Sequence, residues 1–342
     1  MLKPSASGLL YIIGEHDHHG ATTDLFKIGI VRDNDSARSV EERLREHQTG
    51  NPRELVVVHS ATTPFVERIE TLLHGQHATR RVGGEWFHLP DNTLANVIMT
   101  STSHIATAQV MTPLVEHATE LATITSNGEV MTADDHTRHL HAELHATRAQ
   151  IRLCSTAIDH LTAQLLEAQR ADQPRRPWVT IEHKAPRRTF DKTAFATAHP
   201  TLYEQYVIEQ QTSKKTFRVL TTKTDPAAPV SNTGLPSVID THHTYGADSH
   251  SGNEIHTAYL QVLEFQAPLI WREEQLDTEL RVACADHDGI DGICTWKRAT
   301  TTTLGFDTER FKHDHPELYD TYTKTGEPVV AHIPAKDRNY RR

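Results

Sequence analysis

The sequence predicts an α+β protein: a small β-β-α-β-α domain, followed by a coiled-coil helix and a mostly helical tandem-repeat region. Three observations carry this. Within residues 1–90, short apolar runs bounded by turn residues alternate with two amphipathic segments. Residues 140–165 keep an apolar seam at a period of 3.5 residues. A set of aromatic and His-Pro positions then occurs twice, 116 residues apart.

Each element follows from its local residues. Residues 8–14 (GLLYIIG) and 25–31 (LFKIGIV) read as strands, and the polar loop containing His16, Asp17, His18, His19 and Gly20 joins them as an antiparallel pair. Residues 39–47 form a helix with Val40 and Leu44 on one face, stopped by Gly50-Asn51-Pro52. Residues 54–59 (ELVVVH) form a third strand. Pro64 opens a second helix whose Phe65, Ile69, Leu72 and Leu73 share a face. Gly83-Gly84 breaks the chain before Glu85-Trp86-Phe87, which reads as a packing closure.

Beyond this unit the pattern turns helical from Asp91 to Leu121, with Pro113 expected to interrupt it. A long helix follows from Ala133 to Arg170, with Thr132 and Asp135 as its expected N-terminal cap pair. Leu140, Leu144, Thr147, Ile151, Cys154, Ile158, Leu161 and Leu165 form the seam, and seven of these eight are apolar. Such a seam needs a partner, so a homodimer through helix 140–165 is expected. Pro174 and Pro177 end the helix. Phe190-Asp191, Phe195, His199-Pro200, Leu202-Tyr203 and Tyr206 then recur as Phe306-Asp307, Phe311, His315-Pro316, Leu318-Tyr319 and Tyr322, each copy preceded by a helix and a tryptophan, Trp178 or Trp296. The repeated aromatics read as packing residues, with base stacking as the minor alternative. The expected domains are 1–90, a helical connector 91–175, a first repeat 176–223, a linker or long loop 224–253, and a second helix and repeat 254–342.

Composition narrows the class. No stretch approaches the roughly 20 apolar residues needed to span a bilayer. Residues 1–8 lack a secretory pattern, so no membrane and a cytoplasmic location are expected. Cys154, Cys284 and Cys294 are too few and too scattered for a disulfide framework. The histidine-rich stretches and the loop between Cys284 and Cys294 fit no standard zinc or calcium spacing. The formal net charge is −10, and residues 1–90, with 10 Lys+Arg and 12 Asp+Glu, contribute −2 of it. Any basic surface for nucleic acid must therefore be local, with Arg43, Arg45, Arg53, Arg80 and Arg81 as its candidates.

Residue types for phosphodiester chemistry converge in the first domain. Arg43 and His47 are four apart on one helix, as are Glu70 and His74 on the next, so each pair shares a face. Tyr11 lies in the first strand and Lys27 in the second. Phosphodiester hydrolysis needs a carboxylate to hold a hard cation, a cationic side chain to meet the charge on the equatorial oxygens, and a proton acceptor for water. Residues 9–87 resemble the GIY-YIG nuclease superfamily, in the phage-associated branch whose second motif reads Lys-Ile-Gly. The stretches that carry the resemblance are Leu10-Tyr11-Ile12, Lys27-Ile28-Gly29-Ile30, Arg43-Leu44 through His47-Gln48-Thr49-Gly50-Asn51-Pro52, Ile69-Glu70 with His74, and Gly84-Glu85-Trp86-Phe87.

The resemblance implies a DNA endonuclease using one Mg²⁺ or Mn²⁺ held by Glu70. It implies that Arg43 stabilises the transition state and that Tyr11 is the general base. Lys27 stands where the family usually has its second tyrosine, and Leu9-Leu10 replaces Gly-Ile. His47 and His74 complete the candidate catalytic set. Residues 289–322 are similar to a tail region of some phage recombination exonucleases, which implies a phage or mobile-element origin. Two other classes stay open: a non-catalytic DNA-binding or scaffold protein on a degenerate GIY-YIG fold, and a structural coiled-coil assembly.

Overall fold

The computed structural model describes residues 1–3, 5–33, 39–172, 174, 177–221 and 249–337. It begins with β1 (Gly8–His16), β2 (Thr22–Arg32), α1 (Val40–Gln48), β3 (Leu55–Thr63), α2 (Val66–Gln76), a 3-10 turn (Ala78–Arg80), β4 (Arg81–Gly83) and β5 (Trp86–His88). The five strands form one antiparallel sheet in the order β3-β1-β2-β5-β4. Alternation sorts the side chains by face. Leu10, Ile12, Phe26 and Ile28 pack with Ile69, Leu72 and Leu73 of α2. Tyr11, Ile13 and Val31 point the other way, toward Val40 of α1 and Leu55 of β3. Ser39 and Glu42 form the reciprocal capping box that starts α1.

The next elements are α3 (Asp91–Leu121), β6 (Val130–Met131) and α4 (Asp135–Asp172). α3 runs through Pro113 without a break, against the expected interruption. Proline removes one backbone donor, but Ala108, Met111, Val115 and Ala118 of the same helix are buried on both sides of it, and that packing holds the helix together. The core is continuous across residue 90: Phe87, Leu89, Val97, Ile105 and Met111 belong to one cluster. The cap of α4 is also displaced from Thr132/Asp135. Asp134 Oδ1 accepts from Thr137 N at 2.7 Å while Thr137 Oγ1 accepts from Asp134 N at 3.0 Å, which places the reciprocal pair one turn apart.

After α4 come β7 (Val179–Lys184), β8 (Arg188–Phe190), α5 (Lys192–Ala198), α6 (Pro200–Glu204), β9 (Val207–Lys214) and β10 (Arg218–Val219). Most of the expected linker 224–253 lies outside the described residues. Then follow α7 (Ser249–Cys284), β11 (Gly289–Ile290), β12 (Cys294–Thr295), β13 (Ala299–Phe306), α8 (Thr308–Asp314), α9 (Pro316–Thr321), β14 (Thr323–Thr325) and β15 (Val329–Pro334). α4 and α7 pack antiparallel. Leu140 and Leu144 meet Leu276 and Leu280 at one end, and Cys154, Leu161 and Leu165 meet Ile255, Tyr259 and Val262 toward the other. Arg272 grips Glu143 across the pair with two hydrogen bonds of 2.8 and 2.9 Å. The seam expected to meet a second copy is thus filled from within the chain, because α7 supplies the apolar face that α4 needs.

The repeats interlock. β7 pairs with β15, β8 with β14 and β9 with β13, all antiparallel, so each copy's strands find their partners in the other copy. Asp191 N donates to Tyr322 O and Asp307 N to Tyr206 O, both at 2.8 Å, which is one contact made twice about a pseudo-twofold axis. Phe190, Phe195, Tyr206, Phe306 and Phe311 bury one shared cluster. Phe190 stacks on Tyr319 and Phe306 on Tyr203, each ring on the opposite copy. Phe190, Phe195, Tyr206, Phe306 and Phe311 are buried packing residues, while Tyr203, Tyr319 and Tyr322 pack against them partly buried. The repeats add ribbons of strand to the helical character expected from sequence. No helix among the described residues is long and apolar enough to cross a membrane.

Candidate active site

Lys27, Arg43 and His47 lie on the face of the sheet that carries Tyr11, whereas Glu70 and His74 come from α2, which packs on the other face. Strand register places Tyr11 opposite Gly29 and Ile13 opposite Lys27, so Tyr11, Gly29 and Lys27 share that face. The Tyr11 ring lies across Gly29: a Cβ there would sit 2.5 Å from the phenol oxygen. Glycine in the Lys-Ile-Gly motif is therefore a matter of space. Tyr11 is fully buried, and its hydroxyl lies 3.3 Å from His47 Nε2 on α1. Burial raises the Tyr11 pKa above that of a free phenol, with a hydrogen bond from Arg43 pulling it the other way.

Arg43 lies one turn before His47 on α1, with Nη1 2.5 Å from Glu46 Oε2. Burial works against its charge, but the hydrogen bonds to Glu46 and Tyr11 outweigh it and raise its pKa. Burial, then Lys27 and Arg43, lower the pKa of His47, so its ring is neutral near pH 7. Arg43 can only donate. With Arg43 donating to the phenol oxygen, we assign the Tyr11 O–H as donor to His47 Nε2. The second motif's Lys27 is buried, and its Nζ donates to the Glu85 carboxylate.

Glu70 is half-buried on α2, and among the described residues no cation lies within ion-pair distance of it. Its pKa is raised to about 7, first by burial and then by the charge of Glu85, with Lys27 and Arg32 opposing. His74, one turn on, points a ring nitrogen at the Ile28 carbonyl at 3.0 Å. A carbonyl only accepts, so Nε2 carries the hydrogen and Nδ1 is an acceptor. Burial lowers the His74 pKa to about 4.

Glu85 is the residue that sequence reasoning undervalued. It was expected to serve packing beside Trp86 and Phe87, yet its charge acts on Tyr11, His47, Glu70 and His74, and it holds Lys27. Lys27 outweighs the burial that would raise its pKa and leaves it lowered. The signal in the sequence was a charged residue between Gly83-Gly84 and the aromatic pair Trp86-Phe87.

The structure thus brings Tyr11, Lys27, Arg43, His47, Glu70 and His74 into one electrostatic neighbourhood around Glu85. The basic candidates divide. Arg45 and Arg80 are exposed. Arg53 is paired with Glu15. Arg81 is half-buried, donates to the Gly84 carbonyl, and lies 5.9 Å from the centroid of the Phe87 ring.

Residues 8–100 match the T5orf172 domain. This is a phage-associated domain family linked to nuclease-type domains. The T5orf172 segment takes in the whole sheet, both packed helices and the first turns of α3, so every candidate catalytic residue lies inside it. No curated protein and no solved structure matches the chain.

Proposed function

We propose that the chain is a metal-dependent endonuclease that hydrolyses phosphodiester bonds in DNA, working through a GIY-YIG-like site in its T5orf172 segment. One observation carries the reading. Glu70 is a half-buried carboxylate without an ion-pair partner among the described residues, set beside a Tyr11–His47–Arg43 cluster, and its pKa stands at about 7. A carboxyl whose pKa is raised by desolvation and a like charge supports a cation site, because a bound cation would relieve both.

The donor set fits Mg²⁺ or Mn²⁺. Among the described residues no three His, Cys, Asp or Glu side chains group as a metal cage. Glu70 would hold the ion, with water and substrate phosphate as the remaining ligands, which suits a small hard cation. When bound, the cation polarises the phosphate and offsets the charge of the leaving oxygen.

The chain's own residues do the rest. His47, neutral and in contact with the Tyr11 hydroxyl, would accept the proton that Tyr11 releases as Tyr11 takes one from water, a step that requires substrate binding to open the phenol that the free chain buries. Arg43, beside the phenol, faces the negative charge that builds on the phosphate oxygens. Lys27 keeps Glu85 ionised, and Glu85 in turn keeps its partner from competing for Glu70. His74 fixes α2 against β2, one turn from the metal carboxylate.

The test is cleavage of supercoiled plasmid and of a branched-DNA panel with Mg²⁺, with Mn²⁺ and with chelator, comparing wild type with Glu70→Ala and Arg43→Ala. Metal-dependent nicking lost in both variants supports the reading. Binding without cutting in the wild type would move the chain to the non-catalytic DNA-binding class, for which the Lys27–Glu85 pair is the specific structural argument: it engages a carboxylate that a second metal ligand would need free.

A further inference from the structure

A cavity of about 360 Å³ lies between α2 and α7. Its walls include Arg68, Thr71 and His74 of α2, Arg81 after the 3-10 turn, Gln266 of α7, and Lys336 beyond β15. Three cations line it, and its described lining residues include no Asp or Glu. In a chain of net charge −10 the charged groups of the lining are all cations, of which Arg68 is ion-paired with Glu274.

Each cation is placed from a different part of the chain. Arg68 gives Nε to Glu274 at 2.5 Å, while its Nη2 is buried without a hydrogen-bond partner. Arg81 has lost hydration to burial, and its pKa is lowered for that reason despite the charges of Asp337, Glu85 and Glu70. Lys336 is delivered by a clamp on its neighbour: Ala335 N donates to Trp178 O at 2.7 Å, and Ala335 O accepts from buried His256 Nε2 at 2.8 Å. Neither Arg81 nor Lys336 has a carboxylate within ion-pair distance among the described residues. Thr71 and Gln266 add neutral hydrogen-bonding groups.

The cavity shares His74 with the candidate active site. Glu70 and His74 are four positions apart on α2, a rise of roughly 6 Å. A polynucleotide strand whose scissile phosphate sits at Glu70 would carry its neighbouring phosphate past this opening. The volume is in the range that takes a small molecule or a single nucleotide unit.

The geometry points to this cavity as a second phosphate subsite, which takes one nucleotide of the DNA strand beside the scissile bond and holds its phosphate with Arg68, Arg81 and Lys336. The inference rests on the nuclease reading for its choice of DNA. It makes the C-terminal end of the second repeat part of the substrate-binding surface of the T5orf172 segment, although Lys336 and Arg81 are 255 positions apart.

The experiment uses the full chain. Binding of a fluorescent duplex is measured by anisotropy, with chelator present so that nothing is cut, over a salt series, for wild type, Lys336→Ala and Gln266→Glu. Both substitutions lie outside the catalytic set, and Gln266→Glu puts a carboxylate at the cavity wall in place of an amide whose Nε2 donates to Ser155 Oγ at 3.3 Å. The expected result is binding weakened about three- to tenfold in each variant. For Lys336→Ala, the slope of log affinity against log salt should fall by about 1. In Mg²⁺, KM rises in both while kcat stays within about twofold. Wild-type affinity and slope in both variants overturn the subsite. So does a deoxynucleoside monophosphate that binds in a Lys336-dependent way while duplex binding does not depend on Lys336, since the cavity then serves a free nucleotide. A wild type that binds with the Lys336-dependent slope but cuts nothing removes the nuclease reading and leaves the subsite. A wild type that cuts, with variants that bind normally, removes the subsite alone. A wild type that neither binds nor cuts removes both.

Discussion

The raised pKa of Glu70 has a consequence for stability. A carboxyl that titrates near 4.5 when unfolded and near 7 when folded binds its proton more tightly in the folded chain. Between those pH values the folded state carries more protons than the unfolded state, so the metal-free protein loses stability as pH rises through that window. The contribution is fully kept below about 4.5 and fully lost above about 7. Each tenfold change in proton affinity is worth about 1.4 kcal/mol, which puts a ceiling of about 3.5 kcal/mol on the loss. Glu70 is only half-buried, so solvent screening reduces this to about 1–2 kcal/mol. Glu70→Gln keeps the shape and removes the charge.

The assay is urea denaturation with chelator at pH 5 and pH 8, for wild type and Glu70→Gln. His74 and His77, both lowered to about 4 by burial, tilt the wild-type curve the opposite way, because the folded state resists their protonation. The difference between the two proteins cancels that tilt. Glu70→Gln should be close to wild type at pH 5 and more stable by about 1–2 kcal/mol at pH 8. Excess Mg²⁺ at pH 8 should close the gap by stabilising the wild type only. A variant no more stable than wild type at pH 8 would falsify the assignment of Glu70 as a desolvated, unpaired carboxylate.

Further outcomes follow from the same geometry. Cleavage at limiting Mg²⁺ should rise with pH through about 7, as Glu70 loses its proton to admit the cation, and added Mg²⁺ should move the midpoint down; a midpoint indifferent to metal concentration would remove Glu70 from the metal site. Gly29→Ala should push the Tyr11 ring away from His47, costing about 1–3 kcal/mol in a denaturation series and at least tenfold in nicking rate; unchanged nicking would show that the phenol's position is not needed. Phe195→Ala and Phe311→Ala remove equivalent rings from the shared cluster, so each should cost about 3–5 kcal/mol by thermal or chemical melting; a large cost from one and none from the other would contradict the pseudo-twofold head. Leu144→Asp should unfold the helical pair rather than split a dimer; sedimentation showing a folded monomer released from a wild-type dimer would instead restore the intermolecular seam.

Much of the N-terminal unit was legible because its signals are local. Alternation over Leu10-Tyr11-Ile12, the helical spacing of Ile69, Leu72 and Leu73, and the break at Gly83-Gly84 depend on neighbours within a few residues, and the strands and helices form where those signals lie. The four-residue spacings of Arg43 with His47 and of Glu70 with His74 put each pair on one face before any tertiary contact is considered. The repeat, too, was plain in the sequence, because 116-residue spacing of Phe-Asp and His-Pro needs no structure to be seen.

What only the tertiary structure decided is how these pieces meet. The seam of α4 shows that an apolar partner is required, but not whose; hydrophobic burial has no direction, and α7 satisfies it with residues such as Ile255 and Leu280, far along the chain from Leu165 and Leu140. Pro113 looks like a helix breaker in isolation and is overridden by the core packed around it. The repeats pair with each other strand for strand, although neither copy's sequence states that its edges are left open for the other. Glu85 looked like packing because the charge it answers, Lys27, lies 58 positions earlier, and Lys336 had no visible connection to Glu70 at all. Local patterns set the elements, whereas electrostatic neighbourhoods and shared cores depend on distances that only folding creates.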